Sequence, residues 1–125
     1  KTRIAQVKSL SVGTPIGYGL TERLKQRSRI AILPVGYFDG YDRGLSSVGE
    51  VLIGGHRCKV MGRICMNMMM VDVSAVPSVQ KEQVVTLLGI DGRHEITADE
   101  LAKRAQTISY EIVTRINGFL PRIIA

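Results

Sequence analysis

Apolar residues recur along this chain in short runs separated by glycine, proline and charged residues. Runs this short, bounded by turn signals, predict strands rather than long helices. Residues 2–10 set Ile4, Val7 and Leu10 among Lys and Arg, an imperfect alternation that reads as a strand. Val12-Gly13-Thr14-Pro15 reads as a turn. Residues 16–21 read as a second strand carrying Tyr18, and the polar, basic residues 22–28 as a loop or hairpin end. Residues 30–35 form a continuous apolar run, the mark of a buried strand, with Pro34 near its end where a missing N–H costs least. Residues 36–47 form a long glycine-rich loop, and loops of this length in compact domains tend to carry function. Residues 50–53 and 57–60 flank Gly54-Gly55, a hairpin signal. Short strands are expected at 63–66, 69–73 and 84–88, with a linker at 74–83 and a turn at Asp91-Gly92. Met66, Met68, Met69 and Met70 read mainly as flexible core filler on alternating faces.

The period changes near the C-terminus. Thr97-Ala98-Asp99-Glu100 spells a capping box, so a helix should start there and run to about Ala105, burying Leu101 and Ala105. Ser109 is placed to cap a second short helix through Arg115, although the β-branched residues Ile108, Ile112 and Ile116 also suit a strand. Residues 119–124 read as a terminal strand with Pro121 near an edge. The predicted fold is mainly all-β, a small β-barrel (a sandwich is the alternative) with one or two short helices near the C-terminus.

At 125 residues the chain suits one domain with a real core, and its 45% apolar content suits a folded one. No apolar run reaches membrane-spanning length, and no signal-peptide pattern opens the chain. It starts at Lys1 without a methionine, as expected of a fragment or processed product. The net charge of +6 permits a nucleic-acid partner, but the basic residues are scattered and do not interleave with aromatics. The same charge suits an anionic cofactor or a substrate carboxylate. Cys58 and Cys65 form no CxxC pair and have only His56 nearby, so no metal site is expected and both thiols should be reduced and mostly buried.

The chemistry-bearing stretch is 15–43. It holds Tyr18, Tyr37 and Tyr41, each following a glycine, together with Arg23, Arg27, Arg29 and Arg43. Glycine before an aromatic lets the backbone turn sharply and aim a phenol at a site, and a phenol beside guanidinium groups can act as a proton acceptor. Composition alone equally allows ordinary sheet tyrosines beside turn glycines.

VGYFDGYDR, GRICMNMMMVD, TISYE and the closing LPRI occur in one order within this short chain, and together they resemble the C-terminal domain of alanine racemases. The resemblance covers essentially the whole chain. It implies a cytoplasmic, homodimeric enzyme that uses pyridoxal phosphate to make D-alanine for peptidoglycan. It implies that residues 1–125 are a single C-terminal domain, and that the N-terminal barrel with the cofactor lysine is missing. None of Lys1, Lys8, Lys25, Lys59, Lys81 or Lys103 has the family setting of that lysine, so the chain alone should be inactive.

By the same resemblance, Tyr18 corresponds to the tyrosine base that reaches across the dimer into the partner's active site. Gly17 stands where the family commonly has serine, a departure expected to leave the phenol's aim intact. Tyr37, Arg43 and Arg63 correspond to residues of the substrate corridor, Met66 to the residue whose backbone N–H meets the substrate carboxylate, and Tyr110 to a tyrosine that hydrogen-bonds the cofactor phosphate. Asn67 replaces an aspartate common in the family, which removes a charge and bears on substrate preference. Tyr18, Tyr37, Arg43 and Arg63 are therefore expected on one side of the domain. The competing readings are a racemase of serine or another small amino acid, a non-catalytic polyanion-binding β-barrel, and a purely structural dimerisation domain.

Overall fold

Residues 1–124 are described by the computed structural model of the protein, and they form eleven short strands and two helices. The central ladder is three-stranded and antiparallel, β2 (Gln6–Leu10), β5 (Ser28–Leu33) and β8 (Met69–Asp72), with β5 in the middle. Ile30, Ala31 and Leu33 of β5 are all buried, as a strand with two neighbours requires. Pro34 follows directly, and the ladder stops before it needs the missing N–H.

The first predicted strand is broken in two. β1 (Thr2–Arg3) pairs with β9 (Val84–Val85), while β2 pairs with β5. Between them Ile4 donates its N–H to the Gln83 carbonyl and Ala5 to that of Ile32, so the chain changes partners at buried Ile4. β6 (Glu50–Ile53) and β7 (His56–Lys59) form the hairpin expected around Gly54-Gly55. A second hairpin, β10 (Gly89–Asp91) with β11 (His94–Ile96), stands where only a turn was expected. The regular ladders make five small sheets and do not close into one barrel. Single bridges, Leu52–Thr86 and Val60–Val71, stand where closure would need continuous ladders.

Two expected strands are absent. Residues 63–66 have no strand geometry and serve as a wall of the cavity described below. Residues 119–124 also form no strand: Phe119 donates back to the Asn117 side chain and Pro121 has no N–H to offer a ladder. Of the four clustered methionines only Met69 is fully buried, whereas Met66 and Met68 are exposed.

Helix α1 (Ala98–Ala105) begins as predicted, with the Thr97 hydroxyl accepting the Glu100 N–H at 3.1 Å. The reciprocal half of the box is not made, because the Glu100 carboxylate turns to Arg57 and Arg104 instead. Its buried residues are Leu101 and Ala102, with Ala105 packed at the margin of the core. Helix α2 (Ser109–Thr114) is a helix despite its β-branched residues, and Ser109 is its first residue rather than its cap. Ile108 holds the cap position without a side-chain bond, and the adjacent Thr107 hydroxyl bonds the Glu111 carboxylate.

The main core gathers Leu33, Val51, Leu52, Ile53, Val60, Val71 and Ile96 under Leu101 and Ile112 of the helices. Each such side chain contributes on the order of 1.5–3 kcal/mol by leaving water. A smaller cluster of Ile16, Leu24 and Ile30 lies beneath the turn that carries Tyr18.

Candidate active site

Tyr18 does not sit on a strand. β3 (Pro15–Ile16) and β4 (Glu22–Arg23) pair briefly, and between them Tyr18–Leu20 form a 3₁₀ turn. Gly17 and Gly19 on either side of Tyr18 have φ of 80° and 73°, left-handed values that end the strand and turn the phenol outward. Gly17 also packs against Gly62: a Cβ on Gly17 would come within 2.6 Å of the Arg63 nitrogen. The Tyr18 N–H donates to the Arg63 carbonyl at 3.1 Å. The turn therefore rests on the backbone of residues 62–63, and Tyr18 is 61% exposed.

The loop at 36–47 is ordered by two further 3₁₀ turns, Tyr37–Asp39 and Arg43–Leu45. The Asp39 carboxylate accepts the Gly36 N–H at 2.9 Å and the Asp42 carboxylate accepts that of Gly44 at 2.7 Å. Tyr37 and Phe38 donate their N–H groups to the carbonyls of Cys65 (3.1 Å) and Met66 (3.0 Å). Gly36 makes that approach possible, since a Cβ there would overlap the Cys65 carbonyl. From the other side, Asn117 after α2 donates its backbone N–H to Asp39 and its side-chain amide to Phe38.

These segments enclose an open cavity of about 510 Å³ lined by Tyr18, Tyr37 and Arg43 and by Ile64 through Met68. Tyr18, Tyr37, Arg43 and Met66 are thus brought together. The Met66 N–H has no acceptor among the described residues, while its carbonyl is used by Phe38. Arg63 contributes its backbone to the Tyr18 turn, but its side chain lies against Gly19 outside this lining. Tyr110 is not brought in: it is exposed on α2, in a separate depression with Asp99, Lys103 and Thr107. Tyr41, in the same Gly-Tyr setting as the others, is buried, donates its hydroxyl to the Glu50 carbonyl at 3.1 Å, and has its phenol pushed upward in pKa by burial.

Two features of the site were not read from the sequence: Cys65 lines the cavity beside Asn67, and the Glu22 carboxylate accepts from the backbone beneath Tyr18. Residues 63–66 read as a strand, so nothing in the pattern marked Cys65 as part of a cavity wall. Among the described residues no lysine lines the cavity, and no group of three or more His, Cys, Asp or Glu is placed to hold a metal ion. No helix among them is long and apolar enough to cross a membrane.

The fold is thus a mostly β domain with two helices near its C-terminus, presenting two phenols and a guanidinium at one open cavity. Residues 1–124 match the family described as "Alanine racemase, C-terminal domain". The alanine racemase of Methylacidiphilum infernorum is 52% identical over 122 residues, covering 98% of this chain and 32% of that protein. That of Leptospira interrogans is 45% identical over 124 residues, covering 99% and 32%. Among solved structures, alanine racemase from Bacillus anthracis with bound L-Ala-P superposes with a TM-score of 0.86 at 37% identity, covering 93% of this chain and 29% of that one. The enzyme from D-cycloserine-producing Streptomyces lavendulae gives 0.87 at 36% identity, covering 97% and 31%. The chain belongs to the alanine racemase C-terminal domain family, and it spans about a third of the length of the curated relatives it matches.

Proposed function

We propose that this domain is one half of the active site of a pyridoxal-phosphate-dependent alanine racemase that interconverts L- and D-alanine. The observation that carries the reading is the convergence of Tyr18, Tyr37, Arg43 and Met66 on one cavity in a chain of this family. The whole enzyme is a cytoplasmic homodimer making D-alanine for peptidoglycan. Each copy of this domain faces the partner's N-terminal barrel, which carries the cofactor lysine.

Racemisation needs proton exchange on both faces of the α-carbon. Tyr18 serves one face: its phenolate oxygen takes the α-proton of L-alanine, and the phenol so formed returns it in the reverse direction. Its exposure and its rigid turn suit a group that reaches into a neighbouring subunit. Arg43 at the cavity rim draws in the substrate carboxylate, with Arg63 adding positive charge nearby. The free Met66 N–H is available to bind that carboxylate, and Tyr37 narrows the way in.

The cofactor, when bound, supplies the electron sink that acidifies the α-carbon. The residues present fit its phosphate in part. The Tyr110 side chain is exposed and its hydroxyl makes no hydrogen bond among the described residues, so it is free to donate to a phosphate oxygen. With no lysine lining the cavity among the described residues, covalent attachment is assigned to the other domain.

One observation favours a second reading, racemisation of serine or another small amino acid. Asn67 lines the cavity beside Met66, and its neutral amide can hydrogen-bond a substrate hydroxyl. Steady-state racemisation by the full-length enzyme, with L-alanine and L-serine compared by kcat/KM, separates the two. A preference for serine overturns the alanine assignment.

A further inference from the structure

We infer that Glu22 is a positioning residue for Tyr18: its carboxylate pins the backbone on which the Tyr18 turn rests. The inference depends on reading Tyr18 as the proton-exchanging group.

The Tyr18 hydroxyl makes no hydrogen bond among the described residues, so the phenol's place is set by its backbone. That backbone has two supports. The Tyr18 N–H donates to the Arg63 carbonyl, and Gly17 lies in close contact with Gly62. Both supports belong to residues 62–63. Whatever fixes these two residues fixes Tyr18.

Glu22 does so. One oxygen of its carboxylate accepts the Gly62 N–H at 2.5 Å and the Ser47 hydroxyl at 2.6 Å. Ser47 in turn donates its own N–H to the Gly62 carbonyl at 3.1 Å. Glu22 stands on β4, paired with Ile16, so it is anchored to the same brief ladder that launches the turn. It is the side chain that joins the Tyr18 turn, the end of the loop bearing Arg43, and the segment bearing Arg63. Ser47 has a φ of 59°, a left-handed value that a serine keeps only where its surroundings over-determine it. Next to it, the Ser46 hydroxyl donates to the Arg43 carbonyl at 2.6 Å and accepts the Ile64 N–H at 3.0 Å. Glu22 has no cationic partner among the described salt bridges; its bonds go to the two segments that build the site.

The test uses the full-length dimeric holoenzyme. Solvent deuterium exchange at the α-carbon is measured separately for L- and D-alanine in the parent, Tyr18→Phe, Glu22→Gln, Glu22→Ala and the double variant Tyr18→Phe/Glu22→Ala. Glu22→Ala is expected to slow L-alanine exchange roughly 10- to 100-fold, the cost of a small misplacement, with far less effect on D-alanine. Glu22→Gln retains an acceptor oxygen and should lose less. In the Tyr18→Phe background Glu22→Ala should add little, because the group it positions is gone. Amide hydrogen exchange should accelerate in Glu22→Ala over residues 60–66 and stay unchanged over 50–59.

If Tyr18→Phe itself shows no enantiomer asymmetry, the reading of Tyr18 fails and takes this inference with it. If Tyr18→Phe is asymmetric, that reading stands and Glu22 is judged alone. Parent-rate L-alanine exchange in Glu22→Ala, an equal loss for both enantiomers, or full additivity with Tyr18→Phe then overturns the positioning role. Should Glu22→Ala fail to fold, Glu22→Gln decides: parent-rate exchange with unchanged amide protection over 60–66 overturns it.

Discussion

Gly17 and Gly62 meet back to back, and this contact decides how near the Tyr18 turn approaches residues 62–63. The Gly17 φ of 80° adds a second constraint. Gly17→Ala is expected to cost about 1–3 kcal/mol, from left-handed strain and from the clash with the Arg63 nitrogen, measured by chemical denaturation. It should also displace the phenol and so reduce turnover beyond the loss of stability. The same scale shows what short motifs hide. Tyr18, Tyr37 and Tyr41 have nearly identical neighbours, yet Tyr41 is swallowed by the core and only the other two reach the cavity. No local pattern distinguishes them, because the difference lies in which distant segment each glycine turn abuts. The cysteines also part ways. Burial, with smaller contributions from Asp72 and Glu50, pushes the Cys58 thiol up to about 12, while Cys65 lies half-exposed at the cavity. A thiol reagent should label Cys65 in the native protein and Cys58 only on unfolding. Because the folded Cys58 pKa is raised, its contribution to stability is complete below the unfolded value of about 8.5 and is lost as pH rises toward 12.

At the level of elements, α1 is fastened to the β6–β7 hairpin by four charged residues. Arg57 bonds Glu50 (2.8 Å) and Glu100 (2.6 Å), and Arg104 bonds the same two carboxylates (2.9 and 3.1 Å). Arg57 also reaches the Glu95 carbonyl and Arg104 that of Val48. The hydrogen bond from Arg57 holds the Glu100 carboxyl below the ordinary carboxylate range, against the opposing effect of burial, with the charges of Arg57 and Arg104 helping. Arg57→Ala should cost about 1–2 kcal/mol, between exposed and buried pairs, in a urea titration. The depressed Glu100 value means its contribution is full above pH of about 4.3 and fades as pH falls below that, so the gap between parent and Arg57→Ala should narrow in acid. This network explains why the sequence was right about Thr97 and wrong about the rest of its box: a local signal placed the helix start, and a long-range cation took Glu100. The Gly54-Gly55 hairpin, the β5 run and α1 were readable because propensity and period agreed there. The breaks at Ile4 and Gly17 and the irregular cavity wall at 63–66 were not, since each depends on partners far along the chain, while the β10–β11 hairpin pairs locally around a turn whose short flanks carry little strand pattern.

On the scale of the whole molecule, the domain presents its chemistry outward. Tyr18, Tyr37 and Met66 are exposed around an open cavity that offers no lysine among the described residues. This chain alone, mixed with pyridoxal phosphate and L-alanine, should give no D-alanine by chiral chromatography; turnover would contradict the half-site reading. Of the residues named by the family resemblance, Tyr18, Tyr37, Arg43 and Met66 line one cavity while Arg63 and Tyr110 lie outside it, and their supports are seen only in the structure: paired glycines, a carboxylate beneath the turn, and loops stitched to the backbone of residues 62–66. On the proposed function, Tyr18 exchanges the proton on one face of the α-carbon. Tyr18→Phe in the full-length dimer removes the hydroxyl with little change in volume, so folding and cofactor binding should persist. Equilibrium fixes the ratio of forward and reverse rates, so net racemisation must slow equally in both directions. The decisive measurement is therefore α-proton exchange with deuterated solvent, followed for each enantiomer alone. A loss on the order of 10²–10⁴ is expected for L-alanine, with D-alanine exchange largely retained. Parent-rate exchange of L-alanine in Tyr18→Phe would place the base elsewhere.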